Sequence, residues 1–134
     1  MSHFTQVETK INDLVALKAA LAELGLAFEE ATENQLVKVR GWKGSTLTAE
    51  ARIKASKSYD IGLQLTEEGT YKLVADWWGI ETTRGVKEEE VVKELNAKYA
   101  YQRVVAAVEE QGYTIDTNAV QKDGTVKLTV SKWE

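Results

Sequence analysis

Hydrophobic residues recur along this chain with two different spacings, and the longer spacing predicts two helices. Over residues 13–24 the leucines return every three or four positions, which is the spacing of one helical face. Asp13 can cap the start of this helix because its side chain accepts hydrogen bonds from unpaired amides, and Gly25 can end it. The same spacing over residues 87–111, with acidic residues in the first turn and Gly112 after the last, predicts a longer second helix.

The shorter spacing is a strict alternation of apolar and polar residues, which is typical of strands. The composition of residues 46–56 would suit a helix, but Leu47, Ala49 and every second residue after them are apolar, so a strand is favoured. The strands predicted in this way lie at residues 3–11, 26–32, 36–42, 46–56, 59–65, 71–78, 113–116 and 126–133.

Turn residues between neighbouring strands predict which strands pair as hairpins. Residues 79–85 are predicted to form a loop. The predicted hairpins join 26–32 to 36–42, 59–65 to 71–78, and 113–116 to 126–133, the last across Asp123-Gly124.

Together these elements predict one domain, residues 1–134, of the α+β class. About eight mainly antiparallel strands would form a sheet with both helices packed on one face, and its other face could stay in contact with water. Two stretches, residues 3–42 and 70–133, share the order strand, helix, glycine, strand, strand. This similarity is either a true internal repeat or the order of elements that any helix followed by a hairpin would show.

Composition and charge narrow the chemistry. The 134 residues include no cysteine and one histidine, which excludes disulfides, thiolate metal sites, cysteine nucleophiles and any multi-histidine metal centre within one chain. There is no Gly-x-Ser-x-Gly elbow and no glycine-rich phosphate loop, so no cofactor is predicted. No apolar run approaches about 18 residues, so no membrane-spanning segment is predicted. A net charge of −4 argues against nucleic acid as a partner.

The predicted wet face of the sheet is the first candidate binding surface. If the apolar side chains of each strand point inward, their neighbours must point outward. Aromatic residues interleaved with cations can bind an anionic ligand or a partner protein; alternatively, the tryptophans pack under a loop, the C-terminus or a second copy of the chain. The residues predicted to share this face are Lys38, Arg40, Trp42, Lys72, Trp78, Lys127 and Trp133.

A pocket between the sheet and the long helix is the alternative candidate site. Aromatic residues are dense around one predicted hairpin and the helix that follows it. Two aspartates nearby could act as acid–base groups, or could be ordinary solvated or ion-paired carboxylates. The residues predicted to line this pocket are Tyr59, Asp60, Asp76, Trp77, Tyr99 and Tyr101.

These two sites lead to different functions. The outer face predicts a non-enzymatic binding or assembly module that recognises a protein partner or an anionic ligand. The pocket predicts a small-molecule-binding domain or a small enzyme. Single-stranded nucleic-acid binding through the outer face is a third hypothesis, which the acidic net charge disfavours. An exposed edge strand or the tryptophan face could also close a homodimer.

Several segments resemble a known family. They include Tyr-Asp-Ile-Gly at residues 59–62, Val-Ala-Asp-Trp-Trp-Gly at 74–79, Tyr-Ala-Tyr at 99–101 and Gly-Tyr-Thr at 112–114. Together with the opening Met-Ser-His-Phe-Thr and the closing Trp133, they are similar to the domain of unknown function 1257 family, also named for hypothetical chloroplast open reading frame 35. The resemblance implies a cytoplasmic or plastid-stromal protein. It supplies no activity and no catalytic or ligand residues to carry over.

Overall fold

The structure is a computed structural model that describes residues 4–120 and 126–132. These residues form three α-helices and nine strands. In chain order the elements are β1 (Thr5–Glu8), α1 (Leu14–Leu24), β2 (Phe28–Glu30), β3 (Val37–Arg40), β4 (Thr46–Ala49), β5 (Ala51–Lys54), β6 (Asp60–Leu65), β7 (Tyr71–Ala75), α2 (Trp77–Arg84), α3 (Glu88–Glu110), β8 (Tyr113–Val120) and β9 (Val126–Lys132).

Five of the strands form a central antiparallel sheet in the order β1-β7-β6-β5-β2. The predicted hairpin of residues 59–65 with 71–78 is its centre, where Leu63 lies opposite Leu73. Two smaller antiparallel sheets, β3-β4 and β8-β9, complete the strands. The α+β class and the mainly antiparallel pairing are therefore confirmed.

One face of the central sheet is covered by α1 and α3. Leu17 and Leu21 of α1 and Leu95 of α3 pack with inward residues of the sheet, such as Ile61 and Leu63, in one buried cluster. The ends of α1 agree closely with the prediction. The Asp13 carboxylate accepts hydrogen bonds from the first-turn amides, and the residue after the helix is a left-handed glycine.

The opposite face was expected to be wet, but the β3-β4 hairpin covers part of it. Val39 and Ala49 of that hairpin lie over Gly62 of β6, where an added Cβ would approach Val39 Cγ2 to 2.6 Å. Val37, Val39, Ala49 and Val74 are all buried there. Alternation shows which residues share a face, but it does not show whether another layer covers that face. The two-layered core therefore differs from the prediction.

Two strand predictions were wrong, one in the pairing of the strands and one in the length of a strand. Residues 26–32 and 36–42 do not form a hairpin, because β2 pairs with β5 and β3 pairs with β4. Residues 46–56 are not one strand, since the chain turns at Glu50 from the small sheet into the central one. There the Glu50 amide donates to the carbonyl of Leu63, and its carboxylate accepts from the amide of Leu65.

The segment after β7 also differs from the prediction. Residues 77 and 78 were predicted to continue the strand, and 79–85 to be a loop, but α2 begins at Trp77. Asp76 caps this helix, and its Oδ1 accepts from the amide of Gly79 at 3.2 Å. Gly79 lies so close to the Tyr59 ring that an added Cβ would come within 1.9 Å of Cε1. A capped helix thus replaces the predicted strand end.

Tyr99 is the last buried residue among those that the structure describes, and we call the described residues after it, 100–120 and 126–132, the arm. The arm contains the second half of α3 and the predicted last hairpin, with β8 longer than expected. Among its described side chains none is buried. Its predicted turn at Asp123-Gly124 lies outside the described residues. In the described part of the chain, no helix is long and apolar enough to cross a membrane.

The two similar stretches of the sequence differ in their elements and in their pairing, because α2 lies between the first strand and the long helix of the second stretch. In the second stretch the two strands after the helix, β8 and β9, pair with each other. In the first stretch the corresponding strands, β2 and β3, belong to different sheets. The structure therefore shows no common pairing scheme for the two stretches.

Candidate functional site

Two exposed tryptophans from distant parts of the sequence meet at one end of the central sheet. Trp42 follows β3, and Trp78 lies in the first turn of α2. Their ring centroids are 5.5 Å apart with an interplanar angle of 89°, an edge-to-face contact. Trp42 is 41% exposed and Trp78 is 49% exposed. We call these two residues the tryptophan pair.

Local packing fixes the backbone on both sides of the pair. Before Trp42, Gly41 approaches the ring of Phe4 so closely that an added Cβ would lie 2.6 Å from Cζ. After it, the carbonyl oxygen of Trp42 accepts from the Ser45 amide at 3.0 Å and from the Ser45 hydroxyl at 2.6 Å. On the other side, the Asp76 cap holds the first turn of the helix that carries Trp78. The pair therefore stands on two constrained turns.

A buried ion pair ties β3 to the central sheet beside the tryptophans. Asp60 is fully buried, and Arg40 donates to it from Nε at 2.9 Å and from Nη2 at 2.8 Å. The Arg40 amide donates to the same carboxylate at 2.9 Å. Burial alone would raise the pKa of Asp60, but the hydrogen bonds and charge of Arg40, with the charge of Arg52, outweigh burial and lower that pKa. Asp60 is therefore held as a carboxylate.

Arg52 extends this pair into a network. Its Nη1 donates to the Lys38 carbonyl at 2.9 Å and lies 3.4 Å from Asp60 Oδ2. Its Nε and Nη2 both donate to Glu29 Oε2, at 2.9 and 2.6 Å. Three strands, β2, β3 and β5, are thus linked to the carboxylate at the start of β6. Both carboxylate oxygens of Asp60 therefore accept hydrogen bonds from groups of the protein, and neither oxygen is exposed to solvent.

The structure brings together some of the residues predicted for the outer face and separates others. Trp42 and Trp78 meet, and Arg40, two residues before Trp42, has a side chain that is 37% exposed. Lys38 is exposed on β3, and half-buried Lys72 lies on β7 opposite Glu8 and Gln64. Lys127 is in the arm, and Trp133 lies outside the described residues. These residues therefore do not form one continuous face.

The residues predicted for the pocket are also divided. Tyr59, Trp77 and Tyr99 are buried in the main core, whereas Tyr101 is half-buried in the arm. Burial, followed by the charge of Asp76, raises the pKa of Tyr59. Asp60 points to the opposite face of the sheet, where it bonds Arg40. The two aspartates thus hold a strand and a helix terminus, and neither lines a shared pocket.

Tyr99 has a specific role that its spacing did not reveal. Its hydroxyl accepts from the amides of Asn12 and Asp13, both at 3.1 Å, and donates to Asn12 Oδ1 at 3.3 Å. Arg103, one turn later, donates to the same hydroxyl at 3.2 Å. The long helix is therefore fixed to the start of α1. Only the approach of residues about 87 positions apart creates this contact, so no local pattern could have found it.

Two cavities bear on the predicted pocket. Between the sheet and α3 lies a small, mainly apolar cavity of about 60 Å³, bounded by Leu21, Ile53 and Leu95. Ligand sites usually occupy about 300 Å³ or more, so this cavity is smaller than the prediction requires. A shallow groove of about 780 Å³ runs outside Tyr99, with charged residues Glu8, Lys10, Glu68 and Arg103 on its walls. In the described residues, no group of three or more acidic or histidine side chains could hold a metal ion.

Comparison with known proteins gives a family and relatives but no structural precedent. A family model described as "Protein of unknown function (DUF1257)" matches residues 20–129. A protein of Cyanophora paradoxa called "Uncharacterized protein ycf35" is 33% identical over 99% of this chain and 98% of its own length. Proteins of the same name from Pyropia yezoensis and Guillardia theta are 31% and 29% identical over the same shares of each chain. No solved structure matches the chain.

Proposed function

We propose that this chain, which belongs to the DUF1257 family of proteins of unknown function, is a non-enzymatic binding module that recognises a partner protein. The surface that it would use is the tryptophan pair with the cations beside it. This proposal keeps the binding function expected from the sequence. It replaces the continuous outer face with a smaller site at one end of the central sheet.

The exposure of the tryptophan pair carries the proposal. A tryptophan side chain offers a large apolar area. Tryptophan is also among the residues that most often contribute a large share of the binding energy at a protein interface. Here two such rings are joined edge to face and both remain over two-fifths exposed. Together they form a compact apolar anchor of the kind that interfaces use.

The support beneath the tryptophan pair favours binding over chance exposure. Gly41 is wedged against Phe4, and the adjoining strand is held by the Arg40–Asp60 ion pair. A side chain presented from constrained backbone loses less conformational freedom on binding, which improves affinity. The site is therefore already arranged for a partner.

The charges near the pair indicate the chemistry of that partner. Arg40 Nη1 donates to the carbonyl of Lys57 at 2.7 Å, which places this exposed lysine's backbone beside the site. Lys38 is exposed on the same strand as Arg40. The two exposed lysines complement carboxylates, whereas the charge of Arg40 is already matched by Asp60. The proposed partner is thus a protein surface with an apolar side chain flanked by Asp or Glu.

Affinity capture with matched variants tests this function. The variant Trp42→Ala/Trp78→Ala removes the anchor, whereas Val15→Ala/Leu65→Ala removes two apolar side chains that are also exposed, at 79% and 50%. Both variants are first compared with wild type by circular dichroism and thermal unfolding. We expect wild type and the Val15/Leu65 variant to retain a common protein from an extract of the source organism, and the tryptophan variant to lose it.

Three outcomes would contradict the proposal. A partner retained by all three proteins would bind elsewhere, and a partner lost from both variants would depend on exposed apolar residues in general and not on the tryptophan pair in particular. A retained species that is nucleic acid, released by nuclease and by raised salt, would replace the protein partner with the nucleic-acid alternative.

A second candidate function is the binding of a small molecule in the groove outside Tyr99. Its volume of about 780 Å³ and its walls, which carry Lys10 and Arg103 as well as Glu8 and Glu68, favour a ligand bearing both charges. Thermal unfolding in the presence of free amino acids and dipeptides tests this function. A rise in the unfolding temperature that disappears in Lys10→Gln would support it, and no rise with any probe would remove it.

We also propose a location in a cyanobacterial cytoplasm or a plastid stroma. The relatives named ycf35 and the resemblance of the sequence to a plastid family support this part of the proposal. Fractionation of cells carrying a tagged protein tests it. Recovery with membranes or with an exported fraction would contradict it.

A further inference from the structure

Among the side chains that the structure describes, the arm has apolar surface but no buried core. The described apolar side chains on its part of α3 and on the hairpin are half-buried or exposed, and Val104 and Val130 are 49% and 37% exposed. A two-stranded hairpin is marginally stable in water unless further strands or a helix complete it. In this arm β8 packs against α3, whereas β9 pairs only with β8 among the described residues. The side of β9 away from β8 is therefore an open sheet edge.

This edge is longer than the open edges of the central sheet. It is seven residues long, whereas β1 and β2 at the borders of that sheet have four and three residues. Natural proteins protect edges with short strands, bulges, prolines or charges. Lys127 and Lys132 lie near the ends of β9, but its middle, from Leu128 to Ser131, has no charge and no proline. An edge whose middle is unprotected in this way suits the addition of another strand.

We propose that a second copy of this chain pairs its β9 antiparallel to this β9, about a two-fold axis at Thr129. In that register Leu128 lies opposite the partner's Val130, and Lys127 lies opposite the partner's Ser131. No charge faces a like charge, and aliphatic residues meet on one face of the sheet. The sequence of β9 is therefore complementary to itself.

The neighbouring strand, β8, does not share this property in the register about Asp116, a residue at its middle. The same kind of pairing through β8 about Asp116 would place two carboxylates directly opposite each other, which is destabilising. The register of β8 is also irregular between Ile115 and Thr117. Pairing through β9 produces a four-stranded sheet of two hairpins, each backed by its own α3. Such an isologous dimer gives the arm the extra strands that it lacks.

Sedimentation with a matched pair of variants tests the dimer. Thr129→Lys places two ammonium groups at the two-fold axis, whereas Thr117→Lys makes the same change at the residue of β8 directly opposite Thr129. Both threonines are exposed, and lysine is tolerated on strand edges. We expect wild type and Thr117→Lys to dimerise and Thr129→Lys to weaken the dimer by at least about tenfold. A wild type that stays monomeric up to about 1 mM overturns the proposal, as does a dimer unaffected by Thr129→Lys.

If both lysine variants lose the dimer, disulfide crosslinking can still show whether the two chains pair at β9. The chain has no cysteine, so a single introduced thiol reports one contact. Residues directly opposite in an antiparallel pair have Cα atoms about 4.5–5.5 Å apart, within disulfide range. Residues at position 117 would be three strand spacings apart, about 14 Å. Oxidation should crosslink Thr129→Cys and not Thr117→Cys; equal crosslinking of both, or of neither, contradicts pairing at β9.

This inference does not rest on the proposed function. The tryptophan pair and the arm lie on different parts of the chain, so each experiment can fail without the other. A variant that loses the protein partner but still dimerises would separate the two surfaces.

Discussion

The body, residues 4–99, and the arm are built from the same kinds of element but differ in how those elements are covered. In the described part of the chain, every buried side chain lies between Ile11 and Tyr99. In the body, helices cover one face of the sheet and the β3-β4 hairpin covers part of the other. In the arm, a single hairpin lies on the end of one helix. Alternating strands therefore produce a core only where a second layer meets them.

The two regions also use charge differently. The body holds a fully buried carboxylate, Asp60, with two arginines around it. Asp116 in the arm is exposed, and its carboxylate accepts a hydrogen bond from the Ser131 hydroxyl. A buried charge must be neutralised by fixed partners, whereas an exposed one is satisfied by water. We therefore expect changes in the body to cost stability, and changes in the arm to alter association.

The largest expected contrast is between these two aspartates. Asp60→Asn leaves Arg40 without a counter-charge and leaves Arg52 with Glu29 alone, and breaking a buried ion pair in this way costs about 3–5 kcal/mol. Asp116→Asn should change the free energy of unfolding by less than about 0.5 kcal/mol. Urea denaturation measures both values. A cost below about 1 kcal/mol for Asp60→Asn would show that the network does not hold the body together.

The pH dependence of the same variant sharpens the contrast. The pKa of Asp60 is lower in the folded protein than in the unfolded chain, whose aspartates titrate near about 3.9. As the pH falls, the unfolded state binds this proton first, so acid favours unfolding. Wild type should therefore lose stability more steeply than Asp60→Asn as pH falls below about 5. A gap between the two proteins that stays constant from neutral to acidic pH would contradict this assignment.

Truncation of one leucine in each region gives the next contrast. Leu63 is fully buried at the centre of the sheet, and Leu128 is half-buried in β9. Leu63→Ala should cost about 2–5 kcal/mol because it removes buried contacts and leaves a cavity. Leu128→Ala should cost less than about 1 kcal/mol in the monomer, since its side chain has no packed core around it. Similar losses for both variants would mean that the arm is as well packed as the body.

The smallest of these effects tests the packing of the β3-β4 hairpin on the central sheet, which the sequence did not reveal. Gly62→Ala would bring a methyl group within 2.6 Å of Val39, and such overpacking typically costs about 1–3 kcal/mol. Val39→Ala makes room for that methyl group. In a double-mutant cycle measured by thermal unfolding, the two substitutions together should therefore cost less than the sum of the two alone. Additive losses would show that β3 does not lie over Gly62.

The sequence predicted best those elements whose signals are local. Asp13 and Gly25 mark the two ends of α1, and the alternation around Glu67-Glu68-Gly69 marks the β6-β7 hairpin. Each signal lies within a few residues of the structure that it predicts. The helices and the central hairpin were confirmed for this reason.

The errors came where partners are distant in the chain. Periodicity gives the face of a strand but not its neighbour, so the partners of β2 and β3 were missed. Trp77 continued the alternation of β7, which concealed the helix cap at Asp76. The sequence did indicate Trp42 and Trp78 as exposed aromatics. It could not show that they touch, because their contact depends on where the β3-β4 hairpin packs.

Hydrogen exchange at two protein concentrations tests the central contrast most directly. Amides of β6 lie inside the body and should stay protected at every concentration, because only global unfolding exposes them. Amides of β9 should be protected when the protein is concentrated and should exchange rapidly once sedimentation shows only monomer. Equal protection of β6 and β9 in the monomer would contradict this account, because the arm would then be complete without a second copy.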